Sequence, residues 1–260
     1  MKILCCVKQV PEKDARLRVG DGAEWISDDG LSFAISDCDR YGVEAALRLR
    51  EAGEGEVAVL SVGSERASKG IKEALAMGCD RAIHVNTDQL DRADALTIAK
   101  VMAAAVKDEG FEVVICGQQS DDLGYNAVGP ALAHHLNMSH VQIVLSLESG
   151  GDGGLLVSHE LDNNLIETIN VETPVVLGVQ SGINDVRYAS LKGIMGAAKK
   201  PQTKVGLSDL GFTDDDVASK VRITKVAFPE RSSQAEMLDG DPKAAAAALV
   251  QKLKTEAKVL

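Results

Sequence analysis

The segment with the clearest potential for chemistry is the glycine-containing stretch CGQQSDDLGYNAVGPALAHHL, residues 116–136. It follows an apolar run typical of a strand and leads into a helical pattern. Gly117, Gly124 and Gly129 allow a ligand to approach the backbone closely. Backbone amides at residues 126–129, where the predicted helix starts, can hold a phosphate through unpaired N–H groups. From the residues alone, this segment is either an anion site or a plain strand-to-helix turn.

The chain lacks the patterns of the commoner phosphate sites and of catalytic sites. No GxGxxG or GxxxxGK[ST] motif occurs, so ordinary dinucleotide sites and P-loops lack their defining residues. Asp121 and Asp122 are expected in a turn or beside a ribose rather than as a general-base pair. His134 and His135 are neighbours on a predicted helix and face different directions, unlike the histidines of a HExxH zinc motif. We therefore predict no catalytic residue and no metal site.

Short β-branched runs alternate with longer amphipathic stretches in the first half of the chain. The runs that predict strands occupy residues 3–7, 57–62, 82–85 and 113–116. Because these runs are apolar throughout, they indicate a parallel sheet covered by helices on both faces. Such sheets bind ligands beyond the carboxyl ends of their strands, which is where the 116–136 segment begins.

Two stretches between these strands have apolar residues at helical spacing. In each, a glycine follows the last apolar position, as at many helix ends. The first set is Ala67, Ile71, Ala74 and Leu75, followed by Gly78, and the second is Leu96, Ala99, Ala103 and Val106, followed by Gly110. We predict that each set forms the buried face of a helix.

The pattern changes after about residue 141. Residues 142–147, 155–161 and 165–171 predict strands separated by turn-forming glycines and asparagines. They indicate an antiparallel extension of the sheet.

The last part of the chain is polar and weakly periodic from residue 181 to 241, which predicts a loop followed by an extended arm. The alanine-rich stretch 242–260 predicts a final helix. We therefore divide the chain into an α/β domain, residues 1–185, and a loop with a C-terminal arm ending in a helix, residues 186–260; the resemblance described below implies nucleotide binding for the first and partner docking for the second.

Composition restricts the classes of protein to which the chain can belong. It has 260 residues, of which 45% are apolar, and a formal net charge of −11. This acidity disfavours nucleic acid as a partner, and no apolar run approaches the roughly 20 residues of a membrane helix. The N-terminus lacks the pattern of a signal peptide, so we expect a cytoplasmic protein. The five cysteines show no CxxC spacing and are expected to be reduced and structural.

Five segments stand out along the chain: MKILCCVKQVP, DRYGVEAALRLRE, EALAMGCDRAIHV, CGQQSDD and RYASLKGIMGAAKK. Together, and in this order, they resemble the β subunit of electron transfer flavoproteins. The resemblance implies a Rossmann-like fold of the adenine nucleotide alpha hydrolase-like kind, with a C-terminal arm that wraps a larger α subunit. It also implies an electron carrier rather than a stand-alone enzyme.

A further stretch, residues 157–178, is similar to a family signature near the end of the sheet but departs from it. The signature normally has a basic residue where His159 stands, and Gly or acidic residues where Asn163 and Asn164 stand. It has a small residue other than glycine at the position of Gly178. Because asparagine tolerates positive φ, we still expect the hairpin to form.

The resemblance implies a nucleotide pocket between the first strand and the glycine-containing loop. The pocket residues carried over by position are Cys6, Val7, Ser36, Asp39, Val62, Gly63, Gly117, Gln119, Asp122, Asn126, Ala127, Val128 and Gly129. The ligand is AMP in single-flavin members of the family and a second FAD in flavin-bifurcating members.

The loop leaves both ligands open. AMP-binding members favour an NQTG ending, of which Asn126 and Gly129 remain, while Val128 removes a hydroxyl that could meet a phosphate. The KQVP start and the VGP ending resemble the bifurcating pattern, but Leu123 and Tyr125 differ from it. We slightly favour AMP.

The resemblance also implies contacts with larger partners. A shared FAD, held chiefly by the α subunit, would meet this chain near Lys13 and Cys38, where many relatives have an aromatic residue. Leu191, Ile194 and Met195 would dock flavin dehydrogenases such as acyl-CoA dehydrogenase. Two alternatives remain open: a subunit of a flavin-bifurcating, NADH-oxidising complex, and an adenine-nucleotide-binding signalling protein.

Overall fold

A computed structural model describes residues 1–20, 22, 24–229 and 235–260 of the chain. Its strands are β1 (Lys2–Cys6), β2 (Gln9–Pro11), β3 (Phe33–Ile35), β4 (Glu56–Gly63), β5 (Arg81–Asn86), β6 (Val113–Gly117), β7 (Ser139–Ser149), β8 (Leu155–Leu161), β9 (Leu165–Val171), β10 (Val175–Val179) and β11 (Gln202–Val205). Its helices are α1 (Asp37–Glu51), α2 (Ser68–Met77), α3 (Ala95–Val106), α4 (Val128–Leu136), α5 (Leu191–Ala197) and α6 (Pro242–Lys252).

The described strands form one large mixed sheet and one small antiparallel pair. The large sheet has the order β11-β5-β4-β1-β6-β10-β7-β8-β9, and β2 pairs with β3. The neighbouring strands from β11 to β7 run parallel, whereas β7, β8 and β9 pair antiparallel. The predicted α/β fold, with a parallel sheet and a short antiparallel extension, is confirmed.

Helices cover both faces of the parallel part, which explains why its strands are apolar throughout. One core contains residues of α1 and α2, such as Val43 and Ile71, and the other contains residues of α3 and α4, such as Met102 and Leu132. The adjacent Cys5 and Cys6 belong to different cores because successive strand residues point to opposite faces. All five cysteines of the chain are described, and each is free and buried, as expected for structural thiols.

The predicted helical faces are confirmed with one exception. The first set lies on or beside α2, and Gly78 caps the helix with a φ of 145°. In the second, Ala99, Ala103 and Val106 are buried on α3, but Leu96 is 60% exposed. The prediction for Leu96 was wrong because the buried face of α3 begins at Ala95, and the next residue along a helix is turned by about 100°.

The prediction that residues 181–241 form only loop and arm was also wrong. Helix α5 lies in this stretch, and β11 extends the sheet by pairing parallel with β5. Three of the four β11 residues are exposed, so backbone pairing forms this edge strand without the buried side-chain pattern that sequence reading detects. Part of the predicted arm, residues 230–234, lies outside the described residues.

The chain forms two compact units. The larger comprises Met1–Arg18 and Ser27–Thr224, and it contains the sheet. The smaller comprises Val19–Ile26 and Lys225–Leu260. It contains α6, and within it Lys252 pairs with Glu236 at 2.9 Å. The division at residue 185 proposed from the sequence stays a prediction. No helix in the described parts of the chain is long and apolar enough to cross a membrane.

Candidate functional site

The candidate site lies at the carboxyl ends of β4, β1, β6 and β10, which are adjacent and parallel. Strand β1 has β4 on one side and β6 on the other, so the chain winds outwards from it in both directions. Ligands of open α/β sheets bind at such a switch point, outside the carboxyl ends of the strands. The thirteen residues predicted to form a nucleotide pocket lie at these strand ends, at the start of α1, or between β6 and the first turn of α4.

Asp39 in α1 links the ends of β1 and β6. Its carboxylate accepts the backbone N–H of Lys8 at 2.8 Å and that of Gly117 at 2.9 Å. Burial raises the pKa of Asp39 to about 7, although both N–H groups act in the opposite direction. A Cβ at Gly117 would overlap this carboxylate and lie 2.8 Å from Cys38 Cβ. Glycine is therefore required where α1 approaches β6.

Polar contacts join the loop after β6 to β1 and to the start of α1. Ser36 Oγ accepts the backbone N–H of Asp121 at 3.1 Å, and the Asp121 carboxylate accepts the N–H of Asp37 at 2.8 Å. Lys8 Nζ lies 2.7 Å from Asp122 Oδ1. Burial acts to raise the pKa of Asp122, but the Lys8 ammonium holds it below its ordinary value. Gln119 lies in the same loop and is exposed.

The first turn of α4 presents backbone N–H groups at the end of this loop. Asn126 has a φ of 50° and turns the chain into the helix. Ala127 is the N-cap and makes no side-chain cap hydrogen bond. Within the part of the chain that the structure describes, the N–H groups of Val128 and Gly129 therefore have neither an intrahelical partner nor a capping side chain. Such a helix start favours an anion.

Hydrogen bonds from β5 and from the residue that follows it hold the end of β4 in place. Gly63 has a φ of 154°, and its carbonyl accepts hydrogen bonds from His84 Nε2 at 3.0 Å and from the N–H of Thr87 at 3.1 Å. The side chain of Val62 packs against the core that contains α3 and α4. Sequence reading did not assign His84 to the site, although its imidazole positions a predicted pocket residue.

The two residues predicted at the flavin edge lie together at the start of α1. Lys13 forms an ion pair with Asp37, the first residue of the helix. Cys38 follows Asp37, and burial raises the pKa of its thiol, against hydrogen bonds from the backbone of Gln119 and Ser181. The structure thus places Lys13 and Cys38 next to the predicted pocket.

The predicted docking residues form a separate surface. Leu191, Ile194 and Met195 lie on α5 and are 75%, 57% and 71% exposed. Helix α5 packs on the last turn of α2, where a Cβ at Gly193 would overlap the carbonyl oxygen of Ala76. Because α2 runs antiparallel to β4, this turn lies at the amino ends of the strands. The structure therefore separates the docking residues from the predicted pocket.

An ion-pair network that sequence reading missed holds the segment before α5. Arg187 contacts the buried carboxylate of Glu44 at 2.7 Å and the exposed carboxylate of Glu51 at 2.5 Å. Arg48 contacts Glu44 at 2.7 Å and donates to the carbonyl of Asp185 at 2.8 Å. The segment is thus attached to α1 through several charged hydrogen bonds, which are stronger than neutral ones.

Within the described residues, no group of three or more His, Cys, Asp or Glu side chains is placed to hold a metal ion. His134 and His135 lie exposed in the last turn of α4.

The fold and the site define a doubly wound α/β protein with its polar loops at the carboxyl edge of the sheet. Residues 25–210 match the family model described as the electron transfer flavoprotein domain. The chain is 32% identical over 257 residues to a protein from Methylophilus methylotrophus named electron transfer flavoprotein subunit beta, covering 96% of this chain and 97% of that relative. A Bacillus subtilis (strain 168) protein of the same name is also 32% identical, over the full length of both chains.

The chain therefore belongs to the electron transfer flavoprotein family, as its resemblance to that family predicted. Family membership supports a role in flavoprotein electron transport and implies an association with flavin.

Proposed function

We propose that the chain is the beta subunit of a heterodimeric electron transfer flavoprotein. With an alpha subunit it carries electrons from flavin dehydrogenases, such as acyl-CoA dehydrogenase, to a downstream acceptor. It binds an adenine nucleotide, either AMP or a second FAD, at the carboxyl edge of its sheet. The full-length similarity to proteins named subunit beta supports this assignment. A cytoplasmic location stays a prediction from the sequence.

The nucleotide site depends on one observation, the uncapped first turn of α4. The N–H groups of Val128 and Gly129 would stabilise a phosphate through unpaired amides and the helix dipole. Ser36, Asp39 and Lys8 fix the neighbouring loop and strand ends. The set fits the anionic end of a nucleotide.

The shared flavin fits the start of α1. Bound FAD would supply the electron-accepting and electron-donating chemistry, which belongs to the cofactor. The role of this chain is to hold the edge of the flavin near Lys13 and Cys38. The Lys13–Asp37 ion pair and the buried Cys38 would form that edge without an aromatic side chain.

The exposed face of α5 fits the proposed docking of dehydrogenases. Leu191 and Met195 project from a helix that Arg187 and Gly193 hold against the rest of the fold. Exposed apolar side chains on a firmly held element are suited to bind a partner, because little conformational freedom is lost on docking.

The test is to co-purify the chain with its genomic partner, release the bound cofactors, and count FAD and AMP per heterodimer. One FAD and one AMP support simple electron transfer, with AMP in this chain. Two FAD support the bifurcating alternative, in which NADH reduces the second flavin. A colourless, stable monomer that binds AMP would favour the signalling alternative and would overturn the flavoprotein proposal for this chain.

A further inference from the structure

Gln142 occupies an unusual position between β10 and the first turn of α4. It lies in β7 beside Ile143, which has a φ of 56°, and the β7–β10 register shifts at this point. A Cβ at Gly178 would overlap Gln142 Oε1, and a Cβ at Gly129 would lie 2.8 Å from Gln142 Nε2. The carboxamide thus fills a space created by two glycines, one in β10 and one in α4.

The two polar atoms of this carboxamide have no partner among the described residues. Both Oε1 and Nε2 of Gln142 are buried and make no hydrogen bond to any residue that the structure describes. Burying an amide without a partner costs free energy that an apolar side chain of the same size would not cost. Packing alone therefore does not account for glutamine here. The carboxamide is better explained by a polar group that the protein binds.

The surroundings of Gln142 indicate the charge of that group. The carboxamide lies against the first turn of α4, where the N–H groups of Val128 and Gly129 have no cap. Val128 offers no hydroxyl to an anion, and Pro130 has no N–H. An additional donor at this place would complete the ligands of a phosphate.

We propose that Gln142 is a phosphate ligand of the bound adenine nucleotide, with Nε2 donating beside the N–H groups of Val128 and Gly129. This inference rests on the proposed nucleotide site. It assigns to β7 a role in binding, and it explains why residue 178 is glycine, because a larger residue would displace the carboxamide.

The test compares Gln142→Met with the wild-type chain, each co-purified with its partner and stripped of nucleotide. AMP, adenosine and FAD are each titrated into both proteins in separate experiments. We expect Gln142→Met to weaken AMP binding about 10-fold or more, the size expected of one hydrogen bond to a charged group. Adenosine, which lacks the phosphate, should bind both proteins equally. If FAD is the natural ligand, its affinity should fall in the same way, because it also carries phosphate.

Two controls separate this result from a general effect. Gln202→Met makes the same change on exposed β11 and should leave every affinity unchanged. Gln142→Leu is measured in parallel, so that the conclusion does not depend on the folding of one variant. The melting temperature of the nucleotide-free variants at residue 142 should stay equal or rise, because an unpaired buried amide has been removed.

The outcomes distinguish the inference from the proposed function. If the wild-type chain binds nucleotide and Gln142→Met binds AMP just as tightly, or loses adenosine and AMP equally, Gln142 is a packing residue and the inference is wrong. If the wild-type chain binds neither AMP nor FAD at a site in this subunit, the proposed nucleotide site is wrong, and the inference with it.

Discussion

Asp39 shows how one side chain can organise the site. Its carboxylate satisfies the backbone N–H groups of Lys8 and Gly117, at the ends of two neighbouring strands. These N–H groups favour the ionised form, but burial outweighs them and raises the pKa of Asp39 to about 7. Near neutral pH the carboxyl group is therefore partly protonated, and its charge contributes to stability in a pH-dependent way.

We predict that Asp39 makes the protein less stable as the pH rises from about 4 to about 7. In this window the folded chain holds a proton that the unfolded chain has released, so raising the pH favours unfolding. A rise of the Asp39 pKa from its ordinary value to about 7 corresponds to a free energy on the order of 4 kcal/mol. Above about pH 8, where the folded chain has also released the proton, the contribution is constant. This contribution is measured by urea unfolding of the wild-type chain and of Asp39→Asn, at intervals between pH 4.5 and 8.

The difference between the two proteins isolates this group, because carboxyls with lowered pKa values, such as Glu44 and Asp122, have the opposite pH dependence in both. Asparagine can accept only one of the two N–H groups, which lowers the stability of the variant by an amount independent of pH. The wild-type minus variant difference should be largest at low pH and should decline towards pH 7. A difference that does not change with pH would exclude a titrating Asp39.

At the scale of elements, the sequence predicted most accurately the strands and helices that a regular pattern of apolar side chains determines. The central strands and α2 follow from continuous or helically spaced apolar residues, and the β8–β9 hairpin follows from Asn163 and Asn164, which both have positive φ. Strand β11 was missed because backbone pairing with β5 forms it. The position of Gln142 beside Gly129 was not predicted, because it depends on a bulge and on the packing of α4.

Helix α5 is held on two sides, which fixes the position of its exposed face. Arg187 attaches the preceding segment to α1. After the helix, Lys200 donates to the carbonyls of Leu75 and Cys79, at 2.9 and 2.5 Å, and so binds the end of α2. The apolar side chains of α5 are therefore presented on a fixed support.

We predict that Leu191→Ala slows electron transfer to the partner while leaving cofactor content and melting temperature nearly unchanged. Leu191 is 75% exposed, so truncating it removes little of the internal packing of the chain. A central apolar anchor in an interface typically contributes about 1–4 kcal/mol to affinity. Stopped-flow measurement of flavin reduction by the dehydrogenase, at a series of dehydrogenase concentrations, gives the change in the rate of electron transfer.

The matched control is Leu96→Ala, the same substitution at a 60% exposed leucine of α3. It should leave the transfer rate unchanged. Equal slowing by both variants would show that exposed apolar area in general matters, rather than α5. Loss of stability and flavin in Leu191→Ala would show that Leu191 supports the fold instead of docking.

At the scale of the whole molecule, the smaller unit has the features of a segment that is completed by another chain. Helix α6 has no buried residue, and Phe228 and Met237 are 64% and 84% exposed. A helix of this length is marginally stable by itself in water. Large exposed apolar side chains on a poorly buried segment mark an interaction surface.

We predict that residues 235–260 become ordered by binding the alpha subunit, so that the chain is an obligate part of a heterodimer. Expressed alone, it should be poorly soluble or lack flavin. Hydrogen exchange tests this directly: amides of α6 should exchange rapidly in the isolated chain and should be protected in the co-purified complex, since binding stabilises only the folded form. Amides of the fully buried strand residues Ile3 and Leu4 are the internal control and should be protected in both samples. An isolated chain that is monomeric, contains flavin and has a protected α6 would contradict the prediction, because the smaller unit would then be stable without a partner.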